Sequence, residues 1–402
     1  MAKSGLLKRT LSLPLLTLYG LGNILGAGIY VLVGKVAGLA GMGTALAFLI
    51  AMFVAGLTAF SYMELSGRYP VSASASVYLH KAFGKRWLSV LIGVAMILGG
   101  IASAAALSQG FAGYLRVYVN IPASLASVGI LMIIGLIAIK GIKESAFVAA
   151  AFTLVEILGL ILIIWVGRSS LTQVGVSDIL RADPTLGVGG VIAGAFLAFY
   201  AFIGFEDMVN VSEEVKNPSK TMPIAILFSL IISTVLYVLV VVIAVAIVPP
   251  QELSASSAPL ALVYERTGSQ GVIGLTAIGL VAAINGIIVQ IIMGSRILYG
   301  LSKQGWIHQR FTQLHKTNQT PVFATIFIVA IMILATLLLP IVSLAKATSL
   351  LLLGIFMLVN ASLIAVKRKH KNHTGYITVP MIIPVLGALS AASLILYQLL
   401  RP

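Results

Sequence analysis

Several ionisable side chains lie within or beside long apolar runs of this 402-residue chain, where charge is expensive and usually serves a function. Glu156 sits half way along FTLVEILGLILII with no other charge nearby in sequence. A lone carboxyl in such a place suits reversible protonation or contact with a solute. The competing reading is a silent acid that is hydrogen-bonded or paired with Arg296. Glu206 and Asp207 follow an aromatic and glycine cluster, FYAFIGFED. Neighbours on a helix point about 100° apart, so one can face a cavity while the other finds a different partner. Arg296, in GSRILYG, is a candidate cytoplasmic gate, and a snorkelling arginine is the alternative. Ser103 and Asn285 are polar groups in otherwise apolar runs, able to meet a solute, while Asn285 and its neighbour Gln290 could simply bind neighbouring helices. Glu64 is better read as an interfacial acid pairing with Arg68 one turn on.

The second kind of chemistry is backbone chemistry. LTLYGLGNILGAGIYVLVGKVAG places Gly26-Ala27-Gly28 at the middle of one apolar run. Five runs later, GVGGVIAGAFLAFYAFIGFED surrounds Gly204 with Phe199, Tyr200, Phe202 and Phe205. A helix broken at mid-membrane leaves bare N–H groups at the start of its second half and bare C=O groups at the end of its first. The first kind of end favours a carboxylate and the second an ammonium. Two such breaks facing each other make a cradle for a zwitterion, tolerated where the backbone lines a cavity. Glycines also serve close helix packing in membranes. The matching positions of the two breaks weigh toward paired discontinuous helices, the mark of transporters built from inverted repeats.

These residues must be positioned by membrane helices. The chain is 59% hydrophobic and 9% charged, against about 25% charged in a soluble domain. Eleven apolar segments lie near 14–38, 42–65, 87–115, 122–139, 145–167, 188–211, 222–248, 270–301, 322–341, 345–366 and 377–400. Each is about the ~20 residues needed to cross a bilayer, and none alternates as a β-barrel strand would. The connection at 249–269, with Pro249, Pro250 and Pro259, has room for a short surface helix. The expectation is one domain over 1–402, with residues 1–10 as a basic cytoplasmic leader rather than a cleaved signal.

Lys and Arg set the orientation. With the N-terminus in the cytoplasm, 18 of the 26 fall inside and 7 outside, with Arg296 in segment eight completing the set. The inside set includes Lys3, Lys8, Arg68, Lys140, Lys143, Lys216, Lys316 and Lys367–Lys371, and the outside set includes Lys35, Arg116, Arg181 and Arg401. The odd number of segments then puts the C-terminus outside. This asymmetry accounts for the net charge of +15 without nucleic acid as a partner. There is no cysteine, and the five histidines (80, 308, 315, 370 and 373) fall in connections. No metal site or cofactor is expected, and the absence of a Ser/His or paired-Asp constellation within the segments argues against a membrane enzyme.

Four stretches resemble the amino acid–polyamine–organocation (APC) superfamily of transporters. They are GAGIYVLVG in segment one, ELSGRYPVSASASVYLHKAFG after segment two, FYAFIGFEDMVNVSEEVKNPSKTMPIAI across segment six, and GSRILYGLSKQGWIHQRFTQLHKTNQTP after segment eight. They are similar, in order, to the family's helix-one break, its E-L-x-x-x-x-P stretch, its G-F-[DE]…E-E-x-x-N-P signature, and its S-R-x-x-Y…P pattern.

The resemblance implies an all-α integral membrane protein. Its LeuT-type core would pair about 11–167 with about 188–366 as inverted repeats, with one extra C-terminal helix at about 377–400. It implies a substrate carboxylate at the amides of Gly26, Ala27 and Gly28, flanked by Ile24 and Ile29. It implies an amino group near carbonyls around Tyr200, Ala201 and Ile203, with Phe202 and Gly204 adjoining. Tyr200 matches the occluding aromatic gate, and Phe202 is the second choice.

Three departures stand out. Ser-Ala-Ser replaces the family's Gly-Gly within 72–76, and eleven segments are evident where twelve are usual. Glu156 stands near where some members carry a sodium-substituting lysine, and segment eight offers no Ser or Thr in VAAINGIIVQIIMG. A sodium site is therefore disfavoured.

The expected function is a secondary transporter moving an amino acid across the plasma or inner membrane, driven by protons or exchange. A polyamine or cationic amino acid carrier is the alternative if Glu156, Glu206 or Asp207 faces the site, and a non-transporting sensor of amino acids is a reading of another class. The oligomeric state is not legible.

Overall fold

The computed structural model describes residues 9, 11–70, 75–140, 146–172, 175, 181–268, 272–303, 305, 307–314, 320–369 and 376–400. Of the positions singled out above, Lys3, Lys8, residues 72–74, Lys143, Lys316, Lys371, Arg401 and the histidines at 315, 370 and 373 lie outside them, as does the side chain of Ala27.

Among the described residues every regular element is helical, and the one β feature is an isolated parallel bridge between Leu11 and Val215. Segment one is two helices, α1 (Leu13–Leu25) and α2 (Ala27–Ala40). There follow α3 (Thr44–Arg68), a short α4 (Ala75–Phe83), α5 (Arg86–Leu115), α6 (Ala123–Lys140) and α7 (Ala146–Leu171). Segment six begins as α8 (Gly187–Ala198), tightens to 3₁₀ over Phe199–Phe202, breaks, and resumes as 3₁₀ over Phe205–Glu214. The remainder is α9 (Pro218–Ile247), two short helices α10 (Pro250–Ala255) and α11 (Pro259–Arg266), α12 (Val272–Lys303), α13 (Val322–Leu338), α14 (Ile341–Lys369) and α15 (Ile382–Leu400). Helices α1, α9, α10 and α11 each carry proline in the first turn, where its missing N–H is no loss. The 249–269 connection thus holds two short helices, and α4 was not legible in advance.

The long helices carry apolar side chains on both faces. Leu98, Leu136, Leu158, Trp165, Val235 and Leu399 are all exposed, a belt no water-soluble globule would present. Trp87 and Trp165 stand near helix ends, as interfacial aromatics do. The chain is an all-α, multi-pass membrane protein.

Inside the bundle α1 packs on α7 and α9, α3 on α8 and α9, and α5 on α12 and α14. Aromatic rings fill the layer around segment six. Phe202 meets Phe48 and Tyr237 with centroids 6.2 and 5.3 Å away, and Phe199 meets Phe356 at 5.5 Å.

Polar ties fasten the ends. Glu64, fully buried, holds Arg68 at 2.5 Å and Lys367 at 2.8 Å, and accepts the Val379 N–H at 2.7 Å. The pairing of Glu64 with Arg68 is as the sequence suggests, and Lys367 extends it to α14. At the opposite end Asp183 accepts N–H groups from Met42 and Thr185 and the Thr185 hydroxyl. Those donors favour the carboxylate and hold its pKa down to about 2. Leu11 donates its N–H to the Glu214 carbonyl at 3.0 Å and accepts from the Lys216 N–H at 2.9 Å.

Candidate functional site

Gly26 interrupts segment one with φ −29° and ψ −172°, so α1 ends and α2 begins within one residue. Segment six is interrupted at Ile203, which is extended, and Gly204, whose φ of 129° disfavours any residue with a side chain. The two interruptions touch. A Cβ on Gly204 would lie 2.4 Å from the Asn23 carbonyl oxygen, and one on Gly28 would lie 2.9 Å from Cα of Ala201. Glycine at both positions lets the two chains meet backbone to backbone, which neither break reveals by itself.

A cavity of about 30 Å³ opens where they meet. Ile24, Gly26 and Gly28 line it from segment one, Tyr200, Ile203 and Asp207 from segment six, Ser103 and Leu107 from α5, and Gly286, Val289 and Gln290 from α12. Gly22 and Asn23 complete the wall. The volume suits about two waters, taking roughly 10–15 Å³ for each. A solute larger than that requires the walls to part. Tyr200 is placed to be such a wall: its hydroxyl lies 2.9 Å from Ser103 Oγ and donates to the Ser103 carbonyl at 3.2 Å. A smaller cavity of about 10 Å³ adjoins, sharing Ser103, Ile203, Asp207 and Gln290 and adding Glu206, Met293 and Thr348.

The polarity of the central cavity has two ends. The first-turn amides of α2 have no partners within their helix and give that end positive character. The same lining holds the Asp207 carboxylate and Gln290, whose Oε1 has no hydrogen-bond partner among the described residues. Asn23 Nδ2 is likewise buried without a partner. Unsatisfied buried amides cost about 1–3 kcal/mol each, so these two groups are primed to bond something that enters. An anionic group at α2 and a cationic group at Asp207 are what the arrangement can hold.

Several expected residues are employed differently. The Ala201 carbonyl already accepts from the Tyr237 hydroxyl at 3.0 Å, which also lies 2.7 Å from the Ile24 carbonyl. The Gly204 N–H is bonded at 2.8 Å by Glu206 Oε2, so Glu206 caps the second half of segment six while Asp207 faces the cavity. Phe202 packs into the aromatic layer and Ile29 is buried without reaching the wall. Asn285 turns from the cavity to donate to Glu156 Oε1 at 3.0 Å. Glu156 is therefore partnered by Asn285 and not by Arg296, and its Oε2 has no partner among the described residues. Tyr30 donates to the Glu156 carbonyl at 2.6 Å and Tyr114 to the Tyr30 carbonyl at 2.6 Å, tying α2 to α7 and α5. Arg296 is exposed on α12 and lines neither cavity, the arrangement of a snorkelling arginine.

Sequence reasoning missed Asn23 and Tyr237 and gave Gln290 only a packing role. Asn23 had a signal, being polar and three residues before the break. Tyr237 had none, since it is one aromatic in an apolar run.

Residues 11–400 match the family model described as "Amino acid permease". Among curated proteins, the chain is 30% identical over 388 residues to the branched-chain amino acid permease of Bacillus subtilis, covering 91% of this chain and 82% of that protein. It is 29% identical over 413 residues to the methylthioribose transporter of the same organism, covering 97% and 88%. Against the vacuolar cationic amino acid transporter 2 of Arabidopsis thaliana it is 32% identical over 343 residues, covering 80% of this chain and 54% of the relative.

Proposed function

The chain belongs to the amino acid permease family, within the APC superfamily that its motifs resemble, and on that premise we propose that it carries an amino acid across a membrane by alternating access. The observation that carries this reading is the contact of two broken helices at one cavity, whose lining holds both the start of α2 and Asp207. The substrate carboxylate binds at the amides from Ala27 onward, and the amino group binds toward Asp207 and Gln290. Tyr200 closes over the occupant and reopens by leaving Ser103.

We read residues 11–167 and 188–366 as two inverted repeats, each opening on its broken helix, with α15 outside them. The Lys and Arg distribution supports a cytoplasmic N-terminus in a plasma or inner membrane. Coupling runs by protons or exchange, with Glu156 behind the α2 break as the group that gains and loses a proton.

Side-chain selectivity has two supports pulling apart. Ile24, Leu107, Ile203 and Val289 make an apolar wall, which fits the substrate in the name of the Bacillus relative. Asp207 within the same wall fits a cationic amino acid, the class in the name of the Arabidopsis relative. Uptake of a labelled amino acid panel into proteoliposomes, with imposed pH gradients and with or without sodium, tests the proposal. Saturable uptake that follows a proton gradient or internal amino acid and ignores sodium is expected; no uptake of any amino acid overturns it.

A further inference from the structure

A third cavity, about 350 Å³, stands beyond the central one. It is aligned with the central cavity on two helices. On α2, Gly28 lines the central cavity and Val31 and Lys35 line this one, residues three and seven further along and so on the same helical face. On α5, Ser103 and Leu107 line the central cavity and Gly110 and Gly113 line this one, again at helical spacing. A Cβ on Gly110 would lie 2.4 Å from Val31, so α2 and α5 touch where the two cavities divide. The two cavities thus lie in line along α2 and α5, divided by that contact.

The charge of the larger cavity is one-sided. Lys35 and Arg116 line it, and among the described residues no Asp or Glu does. Glu252, close by in the chain, is paired with Arg266. The Lys35 ammonium donates to the Ser254 carbonyl, which uses one of its three donors and leaves two for a guest. Gln109, also in the lining, donates at 2.8 Å to the carbonyls of Thr336 and Leu339, fixing the wall between α5 and α13. A cleft lined by one sign of charge concentrates counter-ions and speeds their entry.

We propose that the larger cavity is a carboxylate-receiving station: Lys35 and Arg116 hold the α-carboxylate of an amino acid before it passes Val31 to the α2 amides. The inference rests on the reading that the substrate is an amino acid, and it is indifferent to the side chain. The carboxylate is handed from two fixed cations to a backbone end of the same sign, so the ligand's charge has a partner at both stations.

The chain has no cysteine, so Ser257→Cys places one thiol at an exposed position of the lining, and Ser124→Cys provides a second. Each variant, purified in detergent, is labelled with a sulfonate-bearing and a trimethylammonium-bearing methanethiosulfonate, every rate being divided by that of a free thiol. The anionic reagent is expected to react about tenfold faster or more, with the ratio falling toward one in Lys35→Gln/Arg116→Gln. Glycine should slow labelling and glycinamide should not. Equal rates for the two reagents, or equal protection by glycine and glycinamide, overturns the station. Protection by phosphatidylglycerol but not glycine also overturns it and gives the cations to a lipid phosphate. Charge preference and glycine protection in a protein without uptake would sink the transport reading alone, and uptake without charge preference would sink the station alone.

Discussion

The hydroxyl of Tyr237 lies 2.7 Å from the carbonyl oxygen of Ile24, and the same hydroxyl lies 3.0 Å from that of Ala201. Ile24 ends the first half of segment one, and Ala201 belongs to the last turn before the break in segment six. One proton from α9 is thus shared between the two carbonyl ends that discontinuity would otherwise leave bare. The site keeps its two broken helices in register with an uncharged bridge.

Tyr237→Phe should therefore cost more than a lost surface contact. Two buried carbonyls lose their donor, an effect of about 1–3 kcal/mol, read as a lower unfolding temperature. Uptake should fall further than stability, because the register of the breaks is what the cavity depends on. Wild-type uptake in a destabilised Tyr237→Phe protein would reduce the tyrosine to packing.

Gly26 and Gly28 should respond in opposite ways. A Cβ at Gly26 finds nothing closer than 3.8 Å, whereas one at Gly28 meets the Ala201 backbone at 2.9 Å. Gly26→Val is expected to fold normally and lose substrate binding by filling the cavity. Gly28→Ala is expected to lose about 1–3 kcal/mol by overpacking. Thermal unfolding and equilibrium binding on the two proteins separate these outcomes, and a matched loss of stability in both would refute the distinction.

Glu156→Gln preserves the oxygen that accepts from Asn285 and removes the ionisable proton. Substrate binding should persist and the pH dependence of uptake should disappear. A pH profile unchanged in shape would leave Glu156 a structural acid and move proton coupling elsewhere.

The architecture was legible because bilayer helices leave long apolar runs, and the breaks because glycine pairs at corresponding depths are conspicuous. What each polar group does within a run was not legible. Asn285 and Gln290 are five residues apart on one helix, yet the first serves Glu156 and the second faces the cavity. Helix rotation in the bundle decides that, and an apolar run carries no hydrophobic stripe from which to read it. Glu206 and Asp207 were expected to diverge, and the Gly204 N–H determines which of them turns inward.

Asp183 gives an acid-stability signature. Its folded pKa of about 2 lies below the ordinary aspartate value of 3.8. The stabilisation is therefore complete above the unfolded value and is lost as pH falls through the folded one. Wild-type protein should unfold at a higher temperature than Asp183→Asn at pH 7, and the gap should close between about pH 4 and pH 2. A gap that persists at pH 2 would show that the carboxylate's charge is not what pins the Met42 turn.

The pairing of Leu11 with Glu214 and Lys216 sets how many independent parts can move. α1 follows Leu11 almost at once, and residues 205–214 end at the carbonyl that Leu11 bonds. The first half of segment one cannot swing away from the second half of segment six without breaking both hydrogen bonds. With Gly204 packed against the Asn23 carbonyl at their other ends, the two half-helices are braced at top and bottom like the rails of a ladder. They form one lever with a single degree of freedom, so an opening that looks like two hinges is geared as one.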